Sequence, residues 1–195
     1  SLHSLLSFLD IGLDKSLHYR HTKKLNNECK LCHHEYDEKA KKLVYVEGKE
    51  GACVYCHKDQ TEENRISNRE ASHAACISCH QETKAKNPKA EAGPVQCSNC
   101  HDADKQLEIA VVEDVPRMKR NQPDTLFVKT GVKSALTPEG ALQTKAVPFN
   151  HKVHEGANNS CRVCHHASLG SCAECHTVNG AKEGNYIKLS TAMHQ

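Results

Sequence analysis

All twelve cysteines of the chain fall into pairs whose members are separated by two residues, and a histidine directly follows each pair. The six Cys-x-x-Cys-His motifs begin at Cys29, Cys53, Cys76, Cys97, Cys161 and Cys172. Residues i, i+3 and i+4 of a helical turn lie on one face. The sequence therefore presents two thiols and one imidazole together six times.

Two thiols at this spacing can form thioethers to the vinyl groups of a haem, and the following imidazole then lies under the iron as its proximal ligand. The motifs predict six covalently attached haems c. The attaching residues would be Cys29, Cys32, Cys53, Cys56, Cys76, Cys79, Cys97, Cys100, Cys161, Cys164, Cys172 and Cys175. The proximal ligands would be His33, His57, His80, His101, His165 and His176.

Zinc is the alternative cofactor for paired cysteines, since twelve thiolates could form three four-cysteine sites. Neither zinc nor a redox-active dithiol explains why histidine follows every pair. The haem interpretation also has a consequence for location. Because thioether attachment takes place outside the bacterial cytoplasm, it predicts a periplasmic or extracellular protein.

A second set of histidines could cap the distal faces of these haems. The nine remaining histidines are His3, His18, His21, His34, His73, His151, His154, His166 and His194. A neutral imidazole is a good ligand for iron, so six of the nine are expected to bind it, although any single one could be a solvated side chain. The order His-x-x-His, motif, second His occurs twice, which is typical of a structural repeat.

These residues resemble the class III cytochromes c, whose tetrahaem unit has His-x-x-His, then Cys-x-x-Cys-His-His, then three more attachment sites with a histidine ahead of the third. Residues 18–101 match that unit completely. The resemblance implies the axial pairs His18 with His33, His34 with His57, His21 with His80, and His73 with His101. In a second, incomplete unit it implies His151 with His165 and His166 with His176. His154 and His194 then have no haem within this chain, and His3 is unassigned.

The chain has few residues for an ordinary core, with no Trp and only 4% aromatics. The expected fold is the class III multihaem cytochrome fold, mostly irregular with short α-helices and a small β ribbon, in which the haems form the core. We predict a tetrahaem unit with its lead-in at 1–106, a linker with short strands at 107–146, and a two-haem unit at 147–195. Within these, residues 107–115 and 125–129 are predicted strands, and residues 4–9 a helical turn.

Iron with imidazole on both faces has no open position, so the predicted function is electron transfer at low potential and not enzymatic catalysis. The resemblance extends to much longer members of the family from sulfate-reducing bacteria, of which this chain would be a segment. It implies a periplasmic carrier between hydrogenase or a tetrahaem cytochrome c and a membrane redox complex. No nucleic-acid partner and no membrane span are expected.

Two other functions stay open at this point. The chain could be a subunit of an extracellular cytochrome filament, in which His154 or His194 binds a haem of the next subunit. It could also be a multihaem reductase, which requires one haem with an open axial position.

Overall fold

The computed structural model describes residues 13–128, 147–177, 180–181 and 187–192. The chain divides into two compact units, Ser1–Pro116 and Arg117–Gln195. This boundary falls within the stretch 107–146 that the sequence marks as a linker. The limits assigned above to the three parts of the chain stay predictions.

The first described element of this unit is helix α1 (Lys15–Lys24), where Asp14 accepts a hydrogen bond from the Leu17 amide at 2.7 Å and so caps the helix start. A 3-10 turn then carries the first motif. The elements that follow α1 are the turn Cys29–Leu31, the antiparallel strands β1 (Glu35–Asp37) and β2 (Lys42–Val44), and helix α2 (Cys53–Cys56).

Helix α3 (Asn68–Lys86) is the longest element described, and it carries the third motif. A capping box fixes its start, because the Ser67 hydroxyl accepts from the Glu70 amide while the Glu70 carboxylate accepts from the Ser67 amide. The unit continues with two short helices, α4 (Cys97–His101) and α5 (Ala103–Leu107).

The strand predicted for residues 107–115 is wrong. Leu107 is the last residue of α5, which is capped by the Asp102 side chain, and no strand follows it up to residue 115. Backbone groups of residues 107–115 instead form hydrogen bonds with side chains of α1. The Ala110 carbonyl accepts from Arg20 at 3.1 Å, and the Val112 amide donates to the Ser16 hydroxyl at 2.8 Å.

The strand predicted at residues 125–129 lies in the second unit. Strand β3 (Leu126–Val128), which lies within the predicted strand 125–129, pairs antiparallel with β4 (Val147–Phe149). The elements after it are α6 (His151–Gly156), the 3-10 turn Cys161–Val163, α7 (Cys172–Cys175), the strand pair β5 (His176–Thr177) and β6 (Gly180–Ala181), and α8 (Leu189–Ala192). The predicted turn at residues 4–9 lies outside the described residues.

The described part of the chain has almost no apolar core of its own. Leu189 is its one buried hydrophobic side chain, whereas Leu31 and Val163, inside two of the motifs, are 58% and 65% exposed. Short helices and two-stranded ribbons joined by irregular segments confirm the predicted architecture. Among these residues, no helix combines the length and apolar character needed to cross a bilayer.

Candidate haem centres

Each attachment motif lies on a helical turn. In three motifs the histidine amide donates to the carbonyl of the first cysteine, His33 to Cys29 at 2.9 Å, His57 to Cys53 at 2.8 Å and His165 to Cys161 at 2.9 Å. His176 makes the same bond to Cys172, and the two remaining motifs lie within α3 and α4. The hydrogen bond closes one turn, so the two thiols and the imidazole share a face.

None of the twelve cysteines, all of which lie in the described residues, forms a disulfide, and nine of them are exposed. The pKa of Cys76 is raised, first because surrounding protein atoms desolvate the thiolate although its surface remains exposed, and then because the thiols of Cys32, Cys53 and Cys100 lie near it. These neighbours come from three other motifs. The four attachment motifs of the first unit therefore lie near one another.

The structure brings the twelve predicted ligand histidines together as six facing pairs. The ring centroids lie 6.2 Å apart for His18 and His33, 6.3 Å for His21 and His80, 5.9 Å for His34 and His57, 6.0 Å for His73 and His101, 6.1 Å for His151 and His165, and 5.7 Å for His166 and His176. Every pair joins one histidine from a motif with one from outside the motifs. Four pairs lie in the first unit and two in the second.

This spacing is the one that a shared iron requires. An imidazole nitrogen bonds a transition metal at about 2 Å and lies about 1.1 Å from its ring centroid, so two rings on one ion have centroids about 6.2 Å apart. The angle between the two rings varies from 25° for His21 and His80 to 89° for His73 and His101 while the centroid distance stays near 6 Å, so no single ring-packing geometry is common to the pairs. In the last pair the two Nε2 atoms face each other at 3.5 Å.

Backbone carbonyls fix how several of these rings are turned. Nδ1 of His21 donates to the Leu17 carbonyl at 2.7 Å, and Nδ1 of His57 donates to that of Ile66 at 2.8 Å. Equivalent bonds run from His80 to Pro94 at 2.8 Å, from His151 to Pro123 at 3.1 Å and from His176 to Ile187 at 3.0 Å. A carbonyl can only accept, so Nδ1 carries the proton and Nε2 keeps its lone pair for a metal.

Gly93 is a functional position that sequence reasoning missed. A Cβ there would lie 2.6 Å from Nε2 and 2.7 Å from Nδ1 of His80, so only glycine leaves room for this ring. The adjacent Pro94 supplies the carbonyl that holds the same ring. A Gly-Pro pair before a motif is a weak signal in sequence, because it also marks ordinary turns.

His154 differs from the twelve paired histidines. Its Nδ1 donates to the Asn150 carbonyl at 2.8 Å, and its ring stacks on Phe149 with centroids 4.3 Å apart. His3 and His194 lie outside the described residues.

The arrangement of sulfur and nitrogen donors fits haem c better than four-cysteine zinc sites. Within the described segments, no three Cys, His, Asp or Glu side chains converge as ligands of a single metal ion. The nitrogens come in opposed pairs, and each pair has two thiols on the same helical turn as one of its rings. This combination suits an iron porphyrin attached through thioethers.

Comparison with known proteins agrees with this chemistry. The profile of the Class III cytochrome C family matches residues 9–101 and 128–195. The high-molecular-weight cytochrome c of Nitratidesulfovibrio vulgaris (strain Hildenborough) is 42% identical over 197 residues, covering 97% of this chain and 36% of that protein. The nine-heme cytochrome c of Desulfovibrio desulfuricans is 52% identical over 58 residues, covering 29% of this chain and 18% of that protein.

Two crystal structures share the fold. The high-molecular-weight cytochrome c from Desulfovibrio vulgaris (Miyazaki F), determined in the presence of zinc ion, aligns with a TM-score of 0.80 at 44% identity, over 93% of this chain and 37% of that one. The sixteen-heme cytochrome from Desulfovibrio gigas aligns with a TM-score of 0.75 at 39% identity, over 92% of this chain and 39% of that one.

The chain thus spans little more than a third of the long cytochromes that it matches over nearly all its own length. It is homologous to a segment of them. The chain belongs to the class III cytochrome c family, a multihaem group of haem c proteins that carry electrons.

Proposed function

We propose that this chain transfers electrons through six haems c, each attached to one Cys-x-x-Cys-His motif and each with its iron between two imidazoles. The six facing histidine pairs, with centroids 5.7 to 6.3 Å apart, carry the proposal. A haem supplies a one-electron couple at its iron. The chain would attach each haem through its two cysteines and hold the iron between two imidazoles, and hydrogen bonds at Nδ1 orient at least five of these twelve rings.

Double imidazole ligation determines what the haems do. An iron with both axial positions filled exchanges electrons without binding oxygen, nitrite or peroxide, which argues against the reductase alternative. All-histidine ligation also lacks the methionine that raises cytochrome potentials, so low potentials are expected. The nearness of the Cys32, Cys53 and Cys100 thiols to Cys76 supports close haem neighbours and electron transfer by hopping between them.

The family resemblance supports a physiological setting for this electron transfer. A chain homologous to part of a high-molecular-weight cytochrome c would work in the periplasm of a sulfate-reducing bacterium. It would accept electrons from hydrogenase or a tetrahaem cytochrome c and pass them towards a membrane redox complex.

Intact mass and spin state of the purified protein test the haem assignment. The expected mass is that of the chain plus six haems, and the ferric protein should be entirely low-spin by electron paramagnetic resonance. A colourless, zinc-containing protein or a high-spin ferric haem would contradict the proposal.

A ligand variant with a matched control tests the pairing. His73→Ala should convert one haem of six to high-spin, because His101 loses the ring that faces it. His154→Ala should leave all six low-spin, because His154 stacks on Phe149. Six low-spin haems in His73→Ala would contradict the pairing.

A further inference from the structure

Residues 117–124, which precede β3 and are called the segment below, contact the start of α6. Helix α6 carries His151. The Pro123 carbonyl accepts from Nδ1 of His151 at 3.1 Å, and the Asp124 carbonyl accepts from the Lys152 amide at 3.1 Å. The left-handed conformation of Asn121, with φ of 57°, turns the chain at this point. The segment thus fixes the orientation of the His151 ring.

Glu155 places a carboxylate beside the same ring. It follows His151 by four residues on α6 and therefore shares its face. Its Oε2 lies 3.8 Å from Nδ1 of His151, beyond hydrogen-bond length, and its side chain is only 12% exposed. The Pro123 carbonyl remains the acceptor of the Nδ1 proton, so Glu155 acts on the ring through its charge.

Arg117 holds this carboxylate in place. Its Nε donates to Oε2 of Glu155 at 2.7 Å, and its Nη1 is paired with Asp124. On the other side, Nε2 of Gln122 lies 3.3 Å from Oε1 of Glu155 and donates to it. Both carboxylate oxygens are thus bound by groups from the segment that orients His151.

This ion pair differs from those on the surface. Lys86 and Glu82, at the end of α3, are 79% and 68% exposed, so solvent screens their charges. Arg117 and Glu155 are 30% and 12% exposed. Charges in such a site act over a longer range because the surroundings have a lower effective dielectric constant.

We propose that Arg117 and Glu155 are positioning residues that set the reduction potential of the haem between His151 and His165. This inference rests on the proposed function, because it requires that haem. A negative charge near an iron-bound imidazole stabilises ferric iron, which carries one more positive charge, and a positive charge stabilises ferrous iron. The two charges of the pair act in opposite directions, and Arg117 offsets part of the effect of Glu155.

Reduction potentials of variants that remove one of the two charges from the six-haem protein test the roles of Arg117 and Glu155. The haem is identified as the one whose low-spin signal is lost in His151→Ala, and its potential is followed by redox titration with paramagnetic resonance detection. Glu155→Gln keeps the shape of the side chain and should raise the ferrous-to-ferric ratio at fixed ambient potential about tenfold, or about 59 mV for a one-electron couple. Arg117→Gln should lower this ratio, and the double variant should lie between the single variants.

Lys119→Gln is the matched control, because it removes a positive charge two residues from Arg117 on an exposed side chain. It should leave the potential of this haem unchanged. Shifts of the same sign in the two single variants, or no shift in either, would overturn the inference while six low-spin haems still support the proposed function. A native chain without this low-spin haem would overturn both.

Discussion

Single histidines in this chain can serve as the proposed iron ligands because other atoms fix both their position and their tautomer. The atoms that do so come from the backbone of distant segments, such as the Ile66 carbonyl for His57 and the Pro94 carbonyl for His80. Such bonds raise the basicity of the imidazole and keep Nε2 directed at the metal. Residues that never touch iron can therefore control its ligation.

Gly93 gives a direct test of this control. Gly93→Ala should displace the His80 ring, because the added Cβ would overlap it. The expected result is one haem of six with high-spin or altered low-spin character, measured by paramagnetic resonance and by loss of part of the Soret intensity typical of low-spin iron.

Gly156→Ala is the control for this change. Its added Cβ meets nothing within 4 Å, so all six haems should remain as in the native protein. An unaltered spectrum in Gly93→Ala would show that the His80 ring can move without losing its iron.

At the scale of elements, helix α3 carries a capping box at its start and, one turn later, the proposed haem ligand His73. The Glu70 carboxylate accepts hydrogen bonds from Thr61 and from Ser67, and these bonds lower its pKa to about 2 from an ordinary value of 4.5. His73 lies three residues further along the same helix. The start of α3 therefore depends on an ionised Glu70.

Acid titration should reveal this dependence. Because the folded-state pKa of Glu70 is depressed, its stabilisation is present above its unfolded pKa, near 4.5, and is lost as the pH falls towards 2. Glu70→Gln should remove this part of the pH dependence, so that helicity and the low-spin signal of the His73 haem are already weakened at pH 6. Far-ultraviolet circular dichroism and paramagnetic resonance between pH 7 and about 2 measure it.

Glu82→Gln in the same helix is the matched control, since the Glu82 side chain is 68% exposed beside Lys86. It should titrate like the native protein. Identical acid transitions for Glu70→Gln and the native protein would exclude a role for the capping box in acid stability.

Sequence reasoning succeeds here where the chemistry is local or repeated. The spacing within each motif predicts the helical turns, and the family resemblance implies histidine pairs whose members lie face to face in the structure, as with His34 and His57. It fails for residues 107–115, where apolar alternation favours a strand but the Ser16 hydroxyl and the Arg20 side chain bind the backbone instead. Backbone acceptors such as the Pro123 carbonyl have no side-chain signature, so sequence alone does not indicate them.

At the scale of the whole molecule, the haems must supply what the polypeptide lacks. A chain of this size normally buries many large apolar side chains. In the described residues, Leu189 is the one hydrophobic side chain that is buried. Leu107 and Val111 are 85% and 72% exposed. Much of the free energy of folding should therefore come from the attached cofactor.

The chain produced without haem attachment tests whether the haems supply this folding free energy. It should show little helical circular dichroism and no cooperative thermal transition, while the six-haem protein shows both. The control is the same sequence matured in cells with haem-attachment enzymes. A cooperatively folded, haem-free chain would contradict the prediction.

Each facing histidine pair lies within one of the two units. The four histidine pairs of the first unit all lie within Ser1–Pro116, and the two others within Arg117–Gln195. Residues 1–116 alone should therefore attach four haems, all low-spin, as measured by intact mass and paramagnetic resonance. The appearance of a high-spin haem in this shorter protein would show that a ligand comes from the other unit.

His33 and His34 are consecutive residues, yet they face two different partners, His18 and His57. Under the proposed ligation, two irons are joined by a single peptide link, with Cα atoms about 3.8 Å apart. Motions of the flanking loops cannot separate these two Cα atoms, so the covalent chain limits how far the two haems can move apart. His165 and His166 repeat this arrangement, so both units contain such a junction.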